Sequence, residues 1–198
     1  MRMSQAILNI GLDLKSVYVS LCPNCDGEIT DEELVELGVC SQCLIEGLQE
    51  GGRLRIRPGK YSPVLELEER FKEFEAFFER IVGSRPWSLQ RTWARRVLLG
   101  RSFSLISPTG TGKTTFCLAM ALYQATKGKK SYIVVPTSLL VQHLLERAAA
   151  LASTIGEKKP RILGYYSGMK RSDASQVLQQ IAQDNFDILI TTDRFLYS

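Results

Sequence analysis

The stretch that most restricts how this 198-residue chain folds is Ser107-Pro108-Thr109-Gly110-Thr111-Gly112-Lys113-Thr114-Thr115. Phe103-Ser104-Leu105-Ile106 runs into it with the composition of a short buried strand, and Phe116 to Leu122 leaves it with good helix formers. A strand, a glycine-bearing turn and a helix in that order make a phosphate-binding loop. The turn lets backbone N–H groups close around phosphate oxygens, and the helix N-terminus adds partial positive charge. Lys113 then reaches the β/γ-phosphates and the Thr114 hydroxyl holds Mg2+. The strict pattern starts with glycine where this chain has Ser107. A glycine turn that merely opens a helix is the bland alternative, and the adjacent Gly112-Lys113-Thr114 argues against it.

From Arg101 onward the apolar runs alternate in type. Strand Tyr132–Val135 leads to a helix from about Leu139 to Ala152, strand Ile162–Tyr166 to a helix from Asp173 to about Gln183, and strand Asp187–Thr191 follows. Such alternation predicts an α/β fold, a parallel sheet with helices on both faces. Ligands of such sheets bind beyond the carboxyl ends of the strands. Those ends carry the phosphate loop, Pro136-Thr137, Ser167-Gly168 and Thr191-Thr192-Asp193-Arg194. His143, the single histidine, falls within a helical run and has no metal or base role in this reading.

The N-terminal part is of another kind. Val17–Leu21 alternates like a strand and delivers Cys22-Pro23-Asn24-Cys25, and Cys40-Ser41-Gln42-Cys43 follows after fourteen intervening residues. Two residues between paired cysteines let both thiolates of a tight turn face one cation, and two such turns close a tetrahedral site of four thiolates. Structural Zn2+ is the favoured occupant of Cys22, Cys25, Cys40 and Cys43; an iron–sulfur cluster or redox-active dithiols also fit the spacing. Thr30 and Glu33 form a capping box for a short helix that Gly38 stops. Four of five cysteines in close pairs point to a metal in a reducing, cytoplasmic compartment rather than to disulfides. Cys117, on the helix after the phosphate loop, reads as a small buried apolar residue.

Charge is uneven along the chain. The formal net charge is only +4, yet through Cys43 two basic residues, Arg2 and Lys15, face seven acidic ones. The sign reverses at Arg53-Leu54-Arg55-Ile56-Arg57, whose period-two pattern places three arginines on one strand face. That row either grips phosphates or is a solvated strand face. Pro58–Pro63 is a turn-rich linker. These features divide the chain into a zinc module and basic ribbon (1–57), a linker and connecting helix (58–84) and an α/β lobe (85–198). Leu67, Phe71, Phe74, Phe78 and Ile81 form a core stripe on the connecting helix, which Gly83 ends. A further helix carries Leu89, Trp93 and Val97 on one face and stops at Gly100; Gln90 sits near its start. No run approaches the roughly 18 apolar residues of a membrane span, and no secretory signal is evident.

These motifs resemble those of superfamily 2 helicases from about Trp87 onward, where Ser107–Thr115 corresponds to motif I, which commonly starts with Ser or Ala. Gln90 is similar to the Q-motif glutamine that recognises the adenine edge of ATP. Pro136-Thr137-Ser138-Leu139-Leu140-Val141-Gln142 resembles motif Ia, and Thr191-Thr192-Asp193-Arg194 stands where motif Ib often reads Thr-Pro-Gly-Arg. The order of parts, four-cysteine module, basic ribbon, Phe-rich helix, Q motif and phosphate loop, resembles more closely the N-terminal part of the reverse gyrase family. The resemblance implies a RecA-like lobe, ATP, Mg2+ and Zn2+ as cofactors, and DNA as partner. Single-stranded backbone would meet Pro136, Thr137, Thr191 and Thr192, and Arg53, Arg55 and Arg57 are the further nucleic-acid candidates. It also implies a parent protein of hot environments that couples ATP hydrolysis to positive supercoiling by a type IA topoisomerase. The Walker B acids, a second RecA-like lobe and the topoisomerase region would lie beyond Ser198, so the chain reads as a fragment with an incomplete lobe. Phe77, Phe78 and Trp87 are the candidates for stacking on adenine. A zinc-ribbon helicase or translocase, or a zinc-dependent interaction module that binds nucleotide without turnover, are the alternatives.

Overall fold

A computed structural model describes residues 16–45, 55–156 and 159–197. Arg53 lies outside the described residues. The chain forms two compact units, Met1–Glu66 and Leu67–Ser198. No helix among the described residues is long and apolar enough to cross a membrane.

In the first unit, β1 (Val17–Tyr18) pairs antiparallel with β2 (Ile29–Thr30), and the turn between them carries Cys22 and Cys25. Thr30 ends β2 and caps α1 (Asp31–Glu36): its hydroxyl accepts the Glu33 N–H at 3.1 Å, and the Glu33 carboxylate accepts the Thr30 N–H at 2.9 Å. Both orphan donors of the helix start are thereby satisfied. The same carboxylate accepts the Ser41 N–H at 2.9 Å, so one side chain ties α1 to the turn of the second cysteine pair. Hydrogen bonds from the Thr30 and Ser41 amides hold the Glu33 carboxyl down at about 2. Gly38, at φ 72°, follows the last turn as the sequence suggests. Ile29 and Val39 are buried beside the cysteines, with Leu34, Leu44, Ile56 and Tyr61 packed against them.

The second unit is built on aromatic packing and a parallel sheet. Helix α2 (Ser62–Val82) buries Leu67, Phe71, Phe74, Phe78 and Ile81, the anticipated stripe, and Phe77 as well. The Arg95 guanidinium of α3 (Ser88–Leu98) covers the Phe71 ring at 3.8 Å and bonds Glu68 at 2.9 Å. Helix α4 (Lys113–Thr126) follows, then β3 (Ser131–Val135), α5 (Ser138–Ala152), β4 (Ile162–Tyr165), α6 (Arg171–Ala182) and β5 (Ile188–Thr192). The strands form a parallel sheet of order β3-β5-β4, in register from Ser131↔Ile188 to Val135↔Thr192 and from Ile162↔Ile188 to Tyr165↔Thr191. β5 is buried throughout, as an apolar central parallel strand should be. Helix α5 packs against all three strands, and it comes so close to β4 that a Cβ at Gly164 would lie 2.2 Å from Leu145 Cδ1.

Two expectations fail. Phe103–Ile106 forms no strand: Phe103 and Leu105 pack on the core, but Ile106 is 90% exposed and no described strand supplies a ladder. An apolar run needs a hydrogen-bonded neighbour to become a strand, and composition alone does not provide one. Cys117 lies on the exposed side of α4 rather than in the core. Packing around its sulfur still pushes the thiol pKa up, which makes it a poor nucleophile.

Candidate nucleotide and metal sites

The loop from Ser107 to Gly112 turns into α4 at Gly112, which adopts φ 74° and ψ 23°, a left-handed conformation suited to glycine. No side chain caps α4 there. The first-turn amides of such a helix have no intrahelical partner, so they and the helix dipole favour an anion at this end. The Lys113 ammonium turns back over the loop, donating to the Ser107 carbonyl at 2.8 Å and the Pro108 carbonyl at 2.7 Å. Ser107 Oγ and Thr111 Oγ1 are 2.8 Å apart, and Thr111 donates to Pro108 at 2.9 Å. The hydroxyl of Ser107 thus supplies a cross-link within the loop that glycine at that position lacks.

Gln90, in the first turn of α3, is 5% exposed. Its Nε2 donates to the Gly112 carbonyl at 3.4 Å, and its Oε1 accepts the Trp87 N–H at 3.3 Å. A Cβ on Gly112 would lie 2.7 Å from Nε2, so a glycine there admits the glutamine. The structure therefore brings Gln90 against the loop, with one donor and one acceptor of its amide already engaged. Of the three aromatic candidates, Phe77 and Phe78 are buried, while Trp87 is 47% exposed.

At the carboxyl ends of the sheet, Pro136 and Thr137 are exposed after β3. The Thr137 hydroxyl caps α5 by accepting the Leu140 N–H at 3.3 Å. Ser138 and Ser167 touch through their hydroxyls at 2.9 Å, joining the ends of β3 and β4. Thr191 and Thr192 are both buried in β5, and the Thr191 hydroxyl donates to the Tyr165 carbonyl at 2.8 Å. Arg147 of α5, which stands in none of the sequence motifs, donates from Nη2 to Thr115 Oγ1 at 2.7 Å beside the phosphate loop. No local pattern marks it, because the partner is far away in sequence.

In the first unit the four sulfurs of Cys22, Cys25, Cys40 and Cys43 lie within 4.8 Å of one another. The separations are 3.6 Å for Cys25–Cys40, 3.6 Å for Cys40–Cys43 and 3.9 Å for Cys22–Cys43. A tetrahedron with metal–sulfur bonds of about 2.3 Å has edges of about 3.8 Å, so the donor set fits a tetrahedral thiophilic cation. A disulfide would need about 2.0 Å, and all four cysteines are free. Amide donors point at the sulfurs, Cys40 N–H to Cys22 Sγ at 3.4 Å and Gly27 N–H to Cys25 Sγ at 3.3 Å. Burial pushes the Cys22 thiol up, but the amides of Cys40, Asn24 and Cys25 outweigh it and bring the pKa down to about 6. Burial and the adjacent sulfurs push Cys40 up to about 12. One thiolate forms readily and the next is opposed by it, a repulsion that a divalent cation relieves.

Residues 87–198 match the DEAD/DEAH box helicase family, and residues 14–52 match the reverse gyrase zinc finger. The chain is 43% identical to reverse gyrase 1 of Aquifex aeolicus over 185 residues, covering 93% of this chain and 16% of that protein. The reverse gyrase of Pyrococcus furiosus is 37% identical over 195 residues, 92% of this chain and 16% of that protein. That of Methanocaldococcus jannaschii is 38% identical over 187 residues, 91% of this chain and 11% of that protein. The chain therefore spans only a small part of these relatives. The zinc-finger match and the geometry of the sulfurs together support Zn2+ at the cysteine cluster. With a helicase domain over more than half its length, and the reverse gyrase zinc finger ahead of it, this chain belongs to the DEAD/DEAH box helicase family in the form found in reverse gyrases.

Proposed function

We propose that the chain is the ATP- and DNA-binding part of a reverse gyrase, which couples ATP hydrolysis to the introduction of positive supercoils by a type IA topoisomerase. The observation that carries this reading is the succession, in one chain, of a reverse gyrase zinc finger and a helicase domain with a phosphate loop. In it, the backbone of Ser107–Thr115 and the free end of α4 hold the phosphates, and Lys113 exchanges the Ser107 and Pro108 carbonyls for phosphate oxygens. The Thr114 hydroxyl ligates Mg2+. Gln90 uses the remaining valences of its amide for the adenine edge, and the exposed Trp87 ring is the one that stacks.

DNA is held at the strand ends by Pro136 and Thr137 and by Thr192, behind which the buried Thr191 fixes the end of β5 through its hydroxyl bond to Tyr165. Arg53, Arg55 and Arg57 add phosphate contacts. Hydrolysis and strand passage draw on a second RecA-like lobe and a topoisomerase region outside residues 1–198, in a protein working in the cytoplasm. ATP supplies the free energy of a phosphoryl transfer, in which positioning and charge stabilisation do most of the catalysis.

Incubating the protein that contains this chain with negatively supercoiled plasmid and ATP should yield positive supercoils. Unwinding without any change in linking number overturns the proposal. Lys113→Ala should lower nucleotide affinity by about tenfold or more, the scale of a lost charged hydrogen bond, with zinc content intact. Unchanged affinity would remove the phosphate-loop assignment.

A further inference from the structure

The segment that carries Arg55 and Arg57 is fixed to both cysteine turns. The Arg57 N–H donates to the Cys43 carbonyl at 2.7 Å and the Ile45 N–H to the Arg55 carbonyl at 2.9 Å, which pairs the segment with the second turn. The first turn holds the same residue from its other end, because Asn24 Nδ2 donates to the Arg57 carbonyl at 3.1 Å. Asn24 sits between Pro23 and Cys25 and is 3% exposed. Its acceptors are taken by the stretch that follows, Oδ1 by the Tyr61 N–H at 3.0 Å and the backbone carbonyl by the Lys60 N–H at 3.0 Å. Gly59 passes so near that a Cβ there would lie 2.5 Å from Asn24 Oδ1. On the outside, Lys60 pairs with Asp26, the residue after Cys25.

Arg57 is thus clamped between two turns that have no disulfide between them and share a small apolar core. A cation held by their four sulfurs would fix their separation further. We propose that Asn24 is a positioning residue through which zinc occupancy sets the phosphate grip of Arg55 and Arg57. This rests on the reading that these arginines hold DNA phosphates. Both side chains are exposed, and they flank Ile56, which forms an isolated bridge with Leu44; two residues apart on extended backbone they are spaced by about 6.6 Å. Held so, they meet a nucleic-acid backbone without the ordering cost that a loose segment carries.

The test measures affinity for a duplex oligonucleotide over a range of salt, together with hydrogen exchange at Arg57, Lys60 and Tyr61, all on the full chain. Removing zinc should flatten the plot of log K against log salt by about 1.8, the loss of two phosphate contacts, and release the three amides. Asn24→Asp keeps the acceptor for Tyr61 but loses the donor to Arg57, and Gly59→Ala strains the contact from the linker side without adding charge. Both should flatten the plot and speed exchange while elemental analysis still finds one zinc per chain. A double variant, Arg55→Ala with Arg57→Ala, that keeps the wild-type slope overturns the phosphate reading itself. A flattened slope in that double variant, with wild-type slope and protection in zinc-loaded Asn24→Asp and Gly59→Ala, overturns the role of Asn24 alone.

Discussion

Among the described residues of the first unit, the buried apolar side chains are Ile29, Val39 and three cysteines. Helix α2 alone buries four phenylalanines in the second unit, against Trp93, Phe116 and Tyr123. Phe74 meets Tyr123 at 5.5 Å and Phe116 at 6.1 Å, each ring nearly edge-on. The first unit has too little apolar surface to hold itself by burial, so a metal on its four thiolates would take that role, and its polar contacts can be many and exposed. The second has enough ring area to stand without a metal. Its sheet and phosphate loop then rest on packing that solvent chemistry hardly touches.

The sharpest way to break this contrast is to remove the metal. Chelation should abolish the protection of α1 and the cysteine turns, since structural zinc contributes on the order of 10 kcal/mol. The near-ultraviolet signal of the Phe and Trp core should persist; its simultaneous loss would mean that the units are not separately stabilised. Next in size, Phe74→Ala should cost about 3–5 kcal/mol in the second unit and leave zinc content at one per chain, measured by denaturant unfolding and elemental analysis.

A smaller effect concerns Tyr123, whose hydroxyl lies 3.1 Å from the Glu73 carboxylate. Burial and that carboxylate push its pKa from the usual 10.0 up to about 12. A raised pKa means that the folded state binds the proton more tightly. The stabilisation is therefore complete below pH 10 and is lost as pH rises toward 12. Tyr123→Phe should flatten the stability profile of the second unit across that window, and an unchanged profile would show that the hydroxyl does not carry it.

What could be read in the sequence was local. The Thr30–Glu33 box, the two-residue spacing within each cysteine pair and the phenylalanine stripe each depend on residues close in sequence, and each formed. Phe103–Ile106 looked like a strand because it is apolar, but strand formation is decided by a neighbour that is remote in sequence. Gln90 was legible as a residue worth attention, yet its link to Gly112 depends on how α3 packs beside the loop. Asn24 stood in plain view between two cysteines. Nothing in Cys22-Pro23-Asn24-Cys25 says that its amide reaches the carbonyl of Arg57.

The strand order β3-β5-β4 also bears on how the chain is made. The central strand is the last of the three to be synthesised, so neither β3 nor β4 has its partner until the ribosome has passed Thr192. At roughly 5–20 residues per second, β3 waits several seconds with both edges open. During that interval α5 can cover one apolar face of the nascent strands but cannot satisfy their amides. Pairing of these three strands is therefore a single late event, timed by translation and reached when β5 slots between β3 and β4.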